Sequence, residues 1–206
     1  MKMATFSHDD YEIIKKDVLY KGRFSYLLYH FRHRQFNGEW SPLFHHELLE
    51  RPSAVAVLPY DPILNKIVLI EQFRAGAANT AHSPWLIEIV AGLQDANETN
   101  EVLAKRETQE EAGLNLLDLH PICDYFVSPG ASNEYIHLYI GRVDASKAGG
   151  IHGLHEENED IRTYTVPMNE AIEQLKRGDF KNAPTIIALQ WLQLHQEWLR
   201  DLWQVK

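Results

Sequence analysis

The sequence predicts a protein of mixed α and β structure, an antiparallel β unit over residues 1–52 followed by an α/β domain over 53–206. Three observations carry that prediction. Short branched-aliphatic and aromatic runs bounded by turn residues fill the chain up to about residue 93. The stretch from Thr99 to Ala112 is free of Gly and Pro and runs into Gly113, as a capped helix does. The segment TIIALQWLQLHQEWLRDLW spaces its apolar residues by three and four. A 206-residue chain of 45% hydrophobic composition is large enough to bury a core in one domain with an N-terminal extension.

Taken in order, residues 11–51 read as β structure, two runs, RFSYLLYHFRHRQF and WSPLFHHELLER, flanking the hairpin dipeptide Asn37-Gly38. AVAVLPY and KIVLIEQF follow, joined through Asp61-Pro62 and Asn65, and then WLIEIVAG; each reads as a core strand. Thr99 is the expected N-cap of the next helix and Gly113 its left-handed end. Strands are expected at 119–127, 134–143 and 161–166. The loop between the last two, 144–160, is rich in Gly, His and acid and long enough to point to function. Ile187, Trp191, Leu194, Trp198 and Leu202 should form the core-facing stripe of a C-terminal helix.

Composition excludes several classes of function. The single Cys123 rules out an internal disulfide or a cysteine-rich metal site, and its strand-like surroundings suggest buried filler. A net charge of −9 without a Lys/Arg cluster argues against nucleic-acid binding. No apolar run has the eighteen or so residues a membrane span requires, and MKMATFSHDDYEI has acids where a signal peptide is hydrophobic, so a cytoplasmic location is expected. His152 and His155 form no His-x-x-x-His pair and receive no role.

RETQEEAG, residues 106–113, holds Glu107, Glu110 and Glu111 within roughly 100° of one another on a helix, a face shared with the apolar Leu103. Like charges so placed repel by a few tenths of a kcal/mol per pair, so a positive partner is expected. Widened to Gly92, five residues, Glu98, seven residues and then Arg106 to Leu114, the pattern resembles the Nudix box of nucleoside diphosphate-linked hydrolases. A chance match is on the order of 10⁻⁹ per window. One position departs from the family pattern, Thr108, where a small or aliphatic residue is expected.

That resemblance implies an α/β/α sandwich with a mixed sheet. It also implies Mg²⁺ or Mn²⁺, two or more ions, held by Glu107, Glu111, Glu159 and the carbonyl of Ala91. Glu110 would support the site, Arg106 would orient a glutamate by ion pairing, and Glu98 would brace the loop. IEQFRAGA, WLIEIVAG, SPGASNE and GIHGLHEENEDI resemble stretches of the ADP-ribose pyrophosphatase subfamily in order and spacing. The subfamily likeness implies substrate contacts from Arg74, Ser128, Gly130, Glu134 and His46, and a general base at Glu157. It also implies a domain-swapped homodimer whose N-terminal units complete an adenine pocket. His45 and His46 stand where relatives commonly carry arginine. Glycines 149, 150 and 153 would let the loop swing as a lid. The implied activity is Mg²⁺-dependent hydrolysis of ADP-ribose to AMP and ribose 5-phosphate. Another nucleoside diphosphate sugar as substrate, or a non-catalytic ADP-ribose sensor, stays open.

Overall fold

The structure is a computed structural model that describes residues 6–205. Its contacts divide the chain into two compact units, 1–52 with 126–135, and 53–125 with 136–206. The sequence boundary at residue 52 omitted the loop 126–135, which contacts the first unit across a long sequence separation.

The first unit is a three-stranded antiparallel sheet in the order β1 (Tyr11–Lys21), β2 (Ser25–His33), β3 (Phe44–Glu50). β2 and β3 are the two runs flanking Asn37-Gly38, and Gly38 takes the positive φ of 87° that this turn needs. β1, which the two-run reading did not separate, pairs with β2 from Tyr11 opposite His33 to Lys21 opposite Ser25. It exposes Ile13, Ile14, Val18 and Leu19. The loop segment joins this unit through a bridge between Leu49 and Ser132 and an ion pair from Arg51 to Glu134 at 3.1 Å.

The second unit is built on an eight-stranded mixed sheet. β4 (Ala54–Asp61) and β5 (Lys66–Phe73) form the expected hairpin but pair only at Tyr60–Ile67 and Asp61–Lys66 before splaying apart. Into the opening run β6 (Trp85–Glu88), paired with β5, and β7 (Val90–Leu93), paired with β4. WLIEIVAG is therefore two strands, broken at Ile89, whose N–H donates to Thr185 Oγ1 at 3.1 Å instead of to a ladder. Helix α1 (Asn100–Ala112) follows, then β8 (Asp118–Phe126), β9 (Tyr135–Arg142), a short β10 (Gly150–His152) and β11 (Ile161–Pro167). β9 runs parallel to β4, which makes the sheet mixed.

Two helices close the chain, α2 (Met168–Arg177) and α3 (Ala183–Leu202). α2 was not predicted, although Met168, Ala171, Ile172 and Leu175 recur at helical spacing before Gly178, which is left-handed at φ 74°. Strand alternation divides the core between the two faces of the sheet. Ala56, Leu58, Leu69 and Leu138 pack against α2 and α3, whereas Val55, Val57, Val68 and Ile70 pack against Leu103, Ala104 and Ala112 of α1. The result is the expected α/β/α sandwich.

Two expectations are corrected. α3 buries Ala188, Leu189, Leu192 and Leu199 most deeply; of the predicted stripe, Ile187 and Trp191 pack against the core part-buried, whereas Trp198, Leu202 and above all Leu194, 80% exposed, face outward. Its tryptophans also form an aromatic patch, Trp191 stacked on His195 at 4.3 Å and Trp198 against His120 at 4.8 Å. Cys123 is exposed, not buried filler. Among the described residues no helix is long and apolar enough to cross a membrane.

Candidate active site

The site grows from α1. Thr99 caps it by accepting the N–H of Val102, and Gly113 ends it at φ 66°, so the helix occupies the frame the sequence set. Leu103 and Ala104 are fully buried under the sheet face. Thr108 is also fully buried; its hydroxyl donates to the carbonyl of Ala104 at 2.7 Å, which satisfies it without disturbing the packing.

Arg106 draws three acids together. Its Nε and Nη2 donate to Glu98 at 3.0 and 3.2 Å, while Nη1 lies 2.9 Å from Glu107 and 2.8 Å from Glu110. These hydrogen bonds and charges raise the Arg106 pKa further, and the bidentate pair lowers that of Glu98. One guanidinium shared among three carboxylates leaves Glu107 undercompensated. Burial pushes Glu107 up to about 7 against the pull of Arg106, with the charges of Glu110 and Glu159 adding to the rise. Glu111 is 2% exposed. Burial pushes it up to about 8, although it accepts the N–H of Ala91 at 2.9 Å.

The strands supply the rest. Gly92 passes so close to Glu107 that a Cβ there would stand 1.9 Å from its Oε1. Thr163 on β11 donates to the backbone carbonyl of Glu111 at 2.8 Å. Arg74, at the end of β5, projects a charge that opposes the rise at Glu111. Its Nε is held at 2.8 Å by Glu88, which also accepts from Asn182 at 2.6 Å. Glu88 received no role from the sequence, although an acid inside the apolar WLIEIVAG implies a buried partner.

The loop after β9 meets the C-terminal end of α1. Gly149, Gly150 and Gly153 all have positive φ, at 134°, 101° and 96°. Gly153 N–H donates to the carbonyl of Glu110 at 3.1 Å, and the His152 ring fills the space a side chain at Gly113 would need. Glu159 accepts the N–H of Leu154 at 3.3 Å, and Glu157 lies in an exposed 3-10 turn, His155–Glu157.

The fold thus brings together Arg106, Glu107, Glu110 and Glu111, with Ala91, Arg74 and Glu159 beside them. Ser128, Gly130, Glu134 and His46 belong to the first unit. There Gly130 and His46 line a cavity of about 310 Å³ with Tyr11, Phe31 and Phe44, and Glu134 is paired to Arg51. Among the described residues no three His, Cys, Asp or Glu side chains are arranged to hold a metal ion.

The sequence model of the family described as the NUDIX domain matches residues 50–190, more than half of the chain. The protein belongs to the Nudix family. Within it, the Nudix chain is 46% identical over 200 residues to a protein named ADP-ribose pyrophosphatase from Escherichia coli (strain K12), covering 97% of this chain and 96% of that one. A protein of the same name from Haemophilus influenzae is 41% identical over 202 residues, covering 97% and 93%. A GDP-mannose pyrophosphatase from Cronobacter sakazakii is 35% identical over 153 residues, covering 72% and 77%. Among solved structures, the crystal structure of an ADP compounds hydrolase superposes with a TM-score of 0.68 at 20% identity, covering 96% of this chain and 98% of that one. That likeness supports the Nudix fold alone.

Proposed function

We propose that this chain hydrolyses ADP-ribose to AMP and ribose 5-phosphate at the carboxylate ridge of α1. The observation that carries this reading is the 46% identity, spanning 97% of the chain, to a protein named ADP-ribose pyrophosphatase.

The chemistry of the donors fits hard divalent cations, Mg²⁺ or Mn²⁺, because all are oxygens, although the carboxylates are not converged on one point in this structure. The part-buried Glu107 and the buried Glu111 are carboxylates that the nearby guanidinium groups leave undercompensated, the electrostatic condition a cation relieves. Glu107, Glu111, Glu159 and the Ala91 carbonyl would hold two or more ions. When bound, these would neutralise charge on the ridge and on the substrate's diphosphate.

The chain's own groups do the rest. Arg74, its fork set by Glu88, binds a phosphoryl oxygen. Glu157 accepts the proton of the attacking water as general base. Arg106 keeps Glu107 and Glu110 at their posts, and the three left-handed glycines let the loop close and shed water. In the first unit the aromatic cavity beside His46 and Gly130 suits a nucleobase, with Ser128 and Glu134 as further substrate contacts. The apolar edge strand β1 supports the reading that this unit, 1–52, pairs with a second copy as a domain-swapped homodimer; sedimentation as a monomer would remove that part.

Incubation with ADP-ribose and Mg²⁺ in ¹⁸O-water should give AMP and ribose 5-phosphate, one of them labelled. The likeness to a GDP-mannose pyrophosphatase supports a second reading, a different nucleoside diphosphate sugar. Turnover of GDP-mannose with none of ADP-ribose would decide for it.

A further inference from the structure

Gln72, on β5, is 6% exposed, yet its Nε2 has no hydrogen-bond partner among the described residues. An unpaired buried amide destabilises the fold and calls for a reason, such as strain or a water, ion or ligand that the chain itself does not supply.

Its place in the sheet says what that is. Val68 and Ile70 lie on the face covered by α1, and strand alternation puts Gln72 and Arg74 in the same row. The pairing of β5 with β6 runs unbroken from Ile70 opposite Glu88 through Gln72 opposite Leu86, so no bulge changes that facing. Ile70 is the register partner of Thr163, whose hydroxyl binds the backbone of Glu111. Arg74, at the other end of the row, acts on Glu111 through space and is fixed by Glu88. Gln72 therefore stands between the backbone support of Glu111 and the guanidinium that faces it, about 7 Å along the strand from Ile70.

We propose that Gln72 is a substrate-binding residue, its carboxamide donating to a phosphoryl oxygen of the bound diphosphate beside Arg74. This rests on the reading that the site cleaves a nucleoside diphosphate sugar. The unliganded fold tolerates the unpaired donor because the substrate pairs it.

Gln72→Met, which keeps length and removes both amide groups, tests this. Three quantities are read against the wild type: the Tm of the unliganded, metal-free protein, kcat/KM for ADP-ribose with Mg²⁺, and the Tm increase given by inorganic pyrophosphate with Mg²⁺. The expected result is a divergence. Tm rises by about 2–4 °C, while kcat/KM falls by about 10- to 100-fold and the Tm increase given by inorganic pyrophosphate with Mg²⁺ shrinks. Gln72→Leu repeats the test should the thioether pack badly. A variant that gains Tm and keeps both kcat/KM and the pyrophosphate response overturns the proposal, as does one that loses Tm without ligand. If the wild type cleaves neither ADP-ribose nor GDP-mannose, the functional reading fails; the pyrophosphate response still decides whether Gln72 serves a diphosphate.

Discussion

A backbone without a side chain governs the site at the residue scale. A methyl group at Gly92 would lie 1.9 Å from Glu107 Oε1, so Gly92→Ala must evict the carboxylate. Activity should fall by about 10²-fold or more, in line with the loss of one transition-state-stabilising group. The Mg²⁺ concentration for half-maximal rate should rise while circular dichroism stays that of the wild type; an unchanged metal titration would show that Glu107 holds no ion. Glu157 makes a different prediction, because it lies in an exposed turn rather than on the buried ridge. Glu157→Gln should leave Tm and metal titration alone and lower kcat by about 10² to 10⁴. Retention of most activity would move the base to another acid, with Glu156 and Glu110 the next to test.

At the scale of elements, α1 was legible in the sequence because its limits are local. Thr99 and Gly113 act within their own turns, and both ends stand where the residues placed them. Thr99→Ala should therefore cost about 1 kcal/mol, read as a Tm decrease of about 2–4 °C, with kcat barely changed. The hairpin of β4 and β5 was legible for a similar reason, since Asp61-Pro62 and Asn65 specify the turn between two branched-aliphatic runs. What escaped the sequence depends on partners. The break at Ile89 exists because the chain leaves β5 for β4, and only the pairing reveals that exchange. α3 carries two apolar stripes about 100° apart, and the sheet buries fully the one with Ala188 and three leucines while Ile187 and Trp191 of the other pack at its margin. The roles of Glu88 and Gln72 were hidden likewise. Each looks like a polar interruption of a strand until its row on the sheet is known.

At the scale of the whole molecule, the acid ridge should link stability to pH and, on the proposed reading, to metal. Glu107 and Glu111 carry pKa values of about 7 and 8 in the fold against an ordinary 4.5. For groups raised in this sense the contribution to stability is fully present below the ordinary value and is lost as pH climbs through the folded values. The Tm of metal-free protein should thus fall between about pH 5 and pH 8, and saturating Mg²⁺ should flatten or reverse the slope by favouring the ionised carboxylates. Scanning calorimetry with EDTA and with Mg²⁺ tests both; a metal-free Tm that climbs over that range would mean the ridge is already neutralised by the protein's own cations.

The crossing from β5 to β4 has an evolutionary corollary. Glu88 serves Arg74 from one strand, and Ala91 and Gly92 serve Glu111 and Glu107 from the next, with only Ile89 and Val90 between them. Adding or deleting one residue there would turn every following side chain of β7 to the opposite face, so the segment is fixed in length as firmly as in composition. Lineages descending from this chain can lengthen the turn around residues 94–98 far more freely than the two positions before Ala91.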